Sequence, residues 1–291
     1  MFTATLIGDL LAAGDMTAAI DRLAAAGCRP GESVWLEEGI AADLPFATDP
    51  AAARQALEHS LAGVDVVVQP TATRRKALIV ADMDSTMITV ECIDELADYA
   101  GIKAEVAAVT EAAMRGELDF EGALDARVAL LAGLSASVIA QCLAERVRIM
   151  PGAKSLVRTM RAHGAEAVLV SGGFTRFAEP VAADIGFDRA IANVLLIADG
   201  RLTGKVAKPI VGSATKQETL LAAIATRGID PALSLAVGDG ANDLAMIERA
   251  GLGVAYHAKP IVAAAAGARV DHGDLSVLLY AQGYRRGEWA D

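Results

Sequence analysis

The pattern of apolar and polar positions divides the chain into a short first unit and a longer second one. In residues 1–70, short apolar runs alternate with amphipathic stretches, which predicts strands over 2–7, 33–38 and 64–69 and helices over 16–26 and 50–62. This alternation is typical of a small α+β domain of the ferredoxin type. The segment Pro70-Thr-Ala-Thr-Arg74 is then the linker to the rest of the chain.

The second unit, residues 76–291, begins with the apolar run 77–81, which is typical of a buried parallel strand. Residues from about 90 to 150 show only helical periodicity, with helices predicted over 104–115, 120–131 and 136–145. Strands over 165–170, 234–237 and 253–256 then alternate with helices over 153–163, 176–185, 214–226 and 242–250. Asp199-Gly200 predicts a hairpin turn within 193–206. We therefore expect an α/β fold, a Rossmann-like parallel sheet core with a helical cap inserted after its first strand.

Composition and charge narrow the classes of partner. Apolar residues make up 54% of the 291 residues and aromatic ones only 4%, so aliphatic side chains must form the core. The net charge of −11 argues against a nucleic-acid partner, because nucleic acids bind basic faces. No apolar run approaches the ~18 residues that a membrane span needs. The N-terminus lacks the basic residues with which a signal peptide begins, so we expect no signal peptide. The three cysteines are odd in number, far apart and not in a metal-binding spacing, which favours reduced thiols and therefore a cytoplasmic location.

Candidate chemistry lies where three predicted strands end. Asp82 and Asp84 follow the first core strand in DMDST. Ser171-Gly-Gly173 stands directly after a strand and before a helix, where free backbone N–H groups can hold a phosphate, and Asp239 and Asp243 lie in GDGAND. The carboxyl ends of strands form the ligand site of an open α/β sheet. Neighbouring carboxylates repel unless a cation lies between them, and divalent cations prefer oxygen ligands.

Each feature alone has a simpler interpretation. The glycines can form a tight turn, Lys216 in SATKQETL can be a solvated surface lysine, and GDGAND can be a turn followed by a helix cap. Together, in this order at successive strand ends, they indicate phosphoryl transfer. In that chemistry a carboxylate attacks phosphorus, a divalent cation neutralises the phosphate oxygens, and a second carboxylate moves the proton.

DMDST, VSGG, Lys216 and GDGAND resemble the four motifs of the haloacid dehalogenase-like phosphatases. The resemblance narrows to the phosphoserine phosphatase family, because TVECIDELA supplies Glu91 and GELDFEGALDARVALLAGL supplies Phe120 and Arg127. NVLLIADGRLTG is also similar to that family's hairpin. The similarity covers residues 77–272 and leaves the first 70 residues outside it.

The resemblance implies Mg²⁺-dependent hydrolysis of O-phosphoserine, the last step of serine biosynthesis, through an aspartyl-phosphate. Asp82 would be the nucleophile. Asp84 would protonate the serine oxygen as it leaves and then take a proton from the attacking water. The Mg²⁺ ion would be held by Asp82, the Asp84 carbonyl oxygen and Asp239, with Asp243 supporting these ligands from behind.

The resemblance also implies how the substrate binds. Glu91 would face the substrate ammonium, and Arg127 would clamp its carboxylate through two hydrogen bonds. The phosphate would be bound by Ser171, Gly172 and Lys216, with Asn242 nearby. Phe120 would either screen the site from water or serve only as a packed cap residue.

Other functions are weighed against this one. A phosphotransferase of the same fold would pass the phosphoryl group to another alcohol, and nothing in the sequence excludes it. A sensor that only binds Mg²⁺ and phosphate would not need Asp84, and an Asp-x-Asp sugar-nucleotide transferase has no role for Ser171 or Lys216. We expect a cytoplasmic enzyme without membrane contacts, open to homodimer formation. Residues 1–70 should fold separately and be dispensable for the chemistry.

Overall fold

A computed structural model describes residues 1–290, apart from the side chain of Met114. The first unit consists, in chain order, of β1 (Phe2–Ile7), α1 (Ala13–Ala25), β2 (Val34–Glu37), β3 (Ala41–Phe46), α2 (Pro50–Leu57) and β4 (Asp65–Pro70). The strands form an antiparallel sheet in the order β2-β3-β1-β4. Both helices pack on one face of this sheet, since Leu23 of α1 and Leu57 of α2 share a core with Leu6 and Leu44. The predicted ferredoxin-like fold is confirmed.

Strand β3 is missing from the strands predicted above. Its sequence AADLPF contains a buried Asp43 and a Pro45, and both residue types are depleted in strands. The fold tolerates Asp43 because its carboxylate accepts a hydrogen bond from Thr5 Oγ1 at 2.8 Å and pairs with Arg74 at 2.5 Å. Both partners are distant in sequence, so local pattern could not reveal the strand.

The second unit is built on a sheet of six parallel strands, of which β5 (Leu78–Ala81) is buried throughout. The other strands are β6 (Glu166–Phe174), β7 (Arg189–Asn193), β10 (Ser234–Gly238), β11 (Leu252–Tyr256) and β12 (Ala268–Val270). Their order across the sheet is β12-β11-β10-β5-β6-β7. The connecting helices are α7 (Ala153–Ala162), α8 (Thr175–Ile185), α9 (Ser213–Arg227), α10 (Leu244–Arg249), α11 (Pro260–Ala265) and α12 (Val277–Ala281). The predicted parallel sheet is confirmed, although β7 and β12 were not predicted.

The cap is the helical insertion between β5 and α7. It contains α3 (Cys92–Ala100), α4 (Lys103–Met114), α5 (Phe120–Leu130) and α6 (Ser137–Glu145). A separate hairpin, β8 (Leu195–Ala198) and β9 (Arg201–Val206), turns at Asp199-Gly200 as predicted. This hairpin supports the cap, because Gly133 donates its N–H to the Leu202 carbonyl at 2.8 Å and Arg201 returns a bond to the Gly133 carbonyl at 2.7 Å.

The N-terminal domain packs directly on the parallel-sheet unit. The buried Asp65 carboxylate accepts backbone N–H bonds from Asp271, His272 and Gly273 at 2.8, 3.2 and 2.8 Å, in the loop that follows β12. Gln69 donates to the Ala281 carbonyl at 2.7 Å. Apolar residues of both units also share one core. Among residues 1–290, no helix combines the length and the apolar character that a membrane crossing requires.

Candidate active site

Asp82 directly follows β5, the first strand of the parallel sheet, and this strand determines its position. Its N–H continues the parallel ladder to the Val237 carbonyl at 3.0 Å, which holds the residue at the carboxyl edge of the sheet. The Met83 N–H donates to Asp82 Oδ1 at 2.7 Å, and the chain then turns tightly, with the Met87 N–H bonded to the Met83 carbonyl at 2.8 Å. The carboxylate is therefore fixed in orientation at the edge where ligands of such sheets bind.

Lys216 lies in the first turns of α9 and is completely buried, so its interpretation as a surface lysine is wrong. Its Nζ contacts Asp82 Oδ1 at 2.8 Å and Asp243 Oδ1 at 2.6 Å. Burial by itself lowers the pKa of this amine, but the two carboxylates outweigh that effect, and the net shift is upward. Lys216 therefore stays charged beside Asp82.

Three carboxylates converge next to this lysine. One oxygen each from Asp82, Asp239 and Asp243 lies within 4.8 Å of the others. The hydroxyl of Thr86 donates to Asp239 Oδ1 at 3.2 Å, and burial followed by the charge of Asp82 raises the pKa of Asp239 to about 6. A set of hard carboxylate oxygens is what a divalent cation such as Mg²⁺ binds, so the residues fit the expected ion.

Asp84 is half-buried and lies close enough to Asp82 and Glu91 for both of their charges to act on it. Its Oδ1 accepts the Cys92 N–H at 3.2 Å, which links it to the start of the cap. Desolvation, followed by the charge of Glu91, raises the pKa of Asp84 to about 8. A carboxyl group that is still protonated near neutral pH can donate a proton, which is the role expected of this residue.

The segment Ser171-Gly-Gly173 differs from its prediction. Strand β6 does not end at Val170 but continues to Phe174, with an irregularity in its pairing over these residues, and α8 begins only at Thr175. The expected loop at a helix N-terminus is thus an extended strand end, because the ladder to β7 resumes at Phe174. Ser171 Oγ accepts the Gly173 N–H at 2.8 Å.

The glycines in this segment allow close approach. A Cβ on Gly173 would lie 2.7 Å from Asp84 Oδ2 and 3.0 Å from Ser171 Oγ. A side chain at this position would therefore collide with two candidate site residues. A Cβ on Gly238, at the end of β10, would likewise collide with the side chain of Asp243.

The cap contributes three candidate residues. Glu91 precedes α3 and accepts a 2.6 Å hydrogen bond from Ser85 Oγ, and desolvation raises its pKa. The half-buried Arg127 on α5 donates its Nε–H to the Ala123 carbonyl at 3.2 Å, which fixes the side chain. Burial lowers the pKa of Arg127, while the charges of Asp94 and Glu91 oppose that shift.

Phe120 begins α5 and reaches across to the parallel-sheet unit. Its ring lies 3.0 Å from the position of a Cβ on Gly172 and 3.2 Å from that of a Cβ on Gly212. The ring therefore bridges the cap and the parallel-sheet unit beside Gly172, one of the candidate site residues. Asn242 lies in a 3₁₀ turn, Ala241–Asp243, with its Oδ1 turned toward Gly240.

Sequence reasoning assigned no role to three residues that the structure places in the site. Thr86 and Ser85 bond Asp239 and Glu91, and their position in DMDST beside the carboxylates was the available signal. The third is Asn193, which bonds two segments of the site that are remote in sequence. No local pattern pointed to it.

Comparison with known proteins shows the protein family to which this chain belongs. Residues 79–248 match the family model of the haloacid dehalogenase-like hydrolases, which is more than half of the chain. The chain therefore belongs to the haloacid dehalogenase-like hydrolase family. Within that family it groups with the phosphoserine phosphatases, on the evidence of the curated relatives that follow.

A phosphoserine phosphatase of Streptomyces coelicolor is 48% identical over 243 residues, which are 83% of this chain and 59% of that protein. One from Albidiferax ferrireducens is 49% identical over 207 residues, 69% of this chain and 87% of that protein. The chain spans only 59% and 55% of the length of the first two curated relatives.

Two solved structures are similar in shape. A haloacid dehalogenase family hydrolase from Salmonella enterica serovar Typhi has a TM-score of 0.86 at 28% identity, covering 97% of this chain and 98% of the other. A phospho-aspartyl intermediate analogue of a phosphoserine phosphatase has a TM-score of 0.66 at 37% identity, covering 71% of this chain and 98% of the other.

Proposed function

We propose that this chain is a Mg²⁺-dependent phosphatase that hydrolyses O-phosphoserine through an aspartyl-phosphate on Asp82. One observation carries the proposal: Asp82 lies at the carboxyl end of β5 with Lys216 Nζ 2.8 Å from its Oδ1, and Asp84 follows two residues later. The names of the similar proteins support the same reaction and substrate.

In the first half of the reaction, a carboxylate oxygen of Asp82 attacks phosphorus and the bond from phosphorus to the serine oxygen breaks. Asp84 gives its proton to that oxygen, so serine leaves as an alcohol and not as an alkoxide. The raised pKa of Asp84 keeps this proton available.

In the second half, water attacks the phosphorus of the aspartyl-phosphate and the bond from phosphorus to the Asp82 oxygen breaks. Asp84, now a carboxylate, takes the proton of the water and returns to its starting state. The sum is phosphoserine plus water giving serine plus phosphate. Lys216 and Ser171 would hold the phosphate oxygens in both halves, with the Gly172 backbone and Asn242 beside them.

Mg²⁺ would be held by Asp82, the Asp84 carbonyl oxygen and Asp239. Asp243 would hold Lys216 in place and support these metal ligands from behind. When bound, the ion supplies positive charge that offsets the charge of the phosphate oxygens. The convergence of Asp82, Asp239 and Asp243 within 4.8 Å supports this assignment.

Specificity for serine would come from the cap. The carboxylate of Glu91, oriented by Ser85, would bind the substrate ammonium. The Nη groups of Arg127, which make no hydrogen bond within the described residues, would bind its carboxylate. We also propose a cytoplasmic location. Cys28, Cys92 and Cys142 are free thiols, which suits a reducing compartment.

A phosphate-release panel tests the proposal. Phosphoserine, phosphothreonine, phosphoethanolamine and a sugar phosphate would be compared with Mg²⁺, with Ca²⁺ and with excess chelator. We expect phosphoserine to be preferred, chelation to stop the reaction, and Ca²⁺ to replace Mg²⁺ poorly because its coordination shell is larger and looser. Full activity in chelator would contradict the metal requirement. A phosphorylated amino-alcohol acceptor in place of free phosphate would instead favour the phosphotransferase.

A further inference from the structure

Asn193, the last residue of β7, joins two segments that are far apart in the sequence. Its side chain is 2% exposed. Its Nδ2 donates to the Gly172 carbonyl at 2.9 Å and to the Val211 carbonyl at 3.2 Å. Its Oδ1 accepts the Val211 N–H at 2.7 Å. Both donor hydrogens and the acceptor are therefore used between these two segments.

The two segments carry or adjoin the residues that we propose to bind the phosphate. Gly172 directly follows Ser171 in β6. Val211 precedes Gly212, whose carbonyl accepts the Lys216 N–H at 3.1 Å in the first turn of α9. The spacing between the backbones of Ser171 and of the first turn of α9, from which Lys216 extends, therefore depends on how far apart these two segments lie.

The contact between the cap and the parallel-sheet unit also depends on the distance between these two backbone segments. The Phe120 ring packs against Gly172 and Gly212 together, at 3.0 and 3.2 Å from the positions of their missing Cβ atoms. If the two backbones moved apart or together, the ring could not contact both. Asn193 thus holds together two segments that carry proposed phosphate-binding residues and that both contact the cap residue Phe120.

We propose that Asn193 is a positioning residue that sets the spacing of the two phosphate-binding segments, and this inference rests on the proposed function. Asn193→Asp is the sharpest variant, because an aspartate of the same shape can still accept the Val211 N–H. It replaces the donor by an oxygen that faces two carbonyl oxygens, which is repulsive. Asn193→Ser removes the bonds to the carbonyls without adding charge, and it serves if the aspartate variant does not fold.

The experiment measures kcat and KM for phosphoserine, the dissociation constant of inorganic phosphate by calorimetry, and the Mg²⁺ concentration for half-maximal activity. We expect phosphate binding and kcat/KM to fall by about 10- to 100-fold. The Mg²⁺ requirement should stay within about twofold, because the carboxylates lie on other strand ends. A change in metal requirement as large as the change in phosphate binding would overturn the inference.

Gln282→Glu is the matched control. Gln282 is also a fully buried amide that bridges two segments: it donates to the Leu278 carbonyl at 2.8 Å and accepts the Lys76 N–H at 3.1 Å. We expect the Gln282→Glu variant to have a lower Tm than wild type and an unchanged affinity for phosphate. Equal losses of phosphate affinity in the two variants, or wild-type affinity in both Asn193 variants, would overturn the inference. Calorimetry with phosphate tests Asn193 even if wild-type protein does not hydrolyse phosphoserine, an outcome that would contradict only the proposed function.

Discussion

Lys216 and Asp82 form a buried ion pair, with 2.8 Å between Nζ and Oδ1, although the two residues are far apart in the sequence. The same Nζ also contacts Asp243 at 2.6 Å. The ammonium group thus neutralises one of two buried carboxylates and orients the residue that we propose as nucleophile. A divalent cation beside Asp239 would balance the remaining negative charge.

The first prediction removes that ammonium. Lys216→Met should lower kcat by about 10²-fold or more, because a buried positive charge at the phosphate site is lost. It should also lower the free energy of unfolding by about 3–5 kcal/mol, since two carboxylates are left buried without their partner. Denaturant unfolding and steady-state kinetics measure the two effects. Lys154→Met, which removes a surface pair to Asp184, is the control and should resemble wild type in both. A stable, active Lys216 variant would show that the pair is incidental.

The second prediction separates the two tasks of Asp84. Asp84→Asn should slow phosphoserine turnover by about 10²-fold or more, because the serine alkoxide then leaves without a proton. A nitrophenyl phosphate has a good leaving group and needs no proton, so its first half-reaction should persist. Rapid mixing should then show a burst of nitrophenolate followed by slow turnover. Absence of a burst, with equal losses on both substrates, would argue against a proton-transfer role.

The third prediction concerns specificity. If Arg127 binds the substrate carboxylate, then Arg127→Ala should lower kcat/KM for phosphoserine by about 10- to 150-fold, as expected for ~1.5–3 kcal/mol. Phosphoethanolamine, which lacks the carboxylate, should hardly be affected. Arg115→Ala on the exposed cap surface, where Arg115 pairs with Glu117 at 2.6 Å, is the control and should change neither substrate. Equal losses on both substrates would mean that Arg127 shapes the cap and does not bind the substrate.

The fourth prediction concerns the N-terminal domain. Asp65→Ala removes the acceptor of three backbone N–H bonds at the domain interface and should lower the free energy of unfolding by about 2–4 kcal/mol. kcat should remain unchanged, because every proposed site residue lies outside residues 1–70. Asp21→Ala, at an exposed position on α1, should change neither quantity. A loss of kcat without a loss of stability would tie this domain to the chemistry.

Much of the fold, and the gathering of the candidate site residues at strand ends, could be predicted from the sequence because these features follow local patterns. An apolar β-branched run that ends in Asp82 predicts a strand end with a carboxylate, and β5 ends in this way. The helical periodicity after it predicts the cap, and Asp199-Gly200 predicts the hairpin turn.

The rest depends on contacts between distant residues. Strand β3 escaped prediction because Asp43 is stabilised by Thr5 and Arg74, which only the folded chain brings close. The end of β6 was misplaced because pairing with β7 resumes beyond two glycines. Asn193 gave no signal at all, since its partners Gly172 and Val211 become neighbours only when the sheet has formed.

The central claim is that Asp82 carries the phosphoryl group during turnover. The most direct measurement is peptide mass spectrometry of enzyme quenched in acid after mixing with Mg²⁺ and substrate. Wild type is mixed with phosphoserine, and the Asp84→Asn variant with a nitrophenyl phosphate, from which its intermediate should accumulate. We expect a phosphoryl group on the peptide that contains Asp82. A correctly folded Asp82→Asn protein should show neither this phosphoryl group nor any turnover. A phosphoryl group on another residue, or substantial turnover by the Asp82→Asn protein, would show that Asp82 is not the nucleophile.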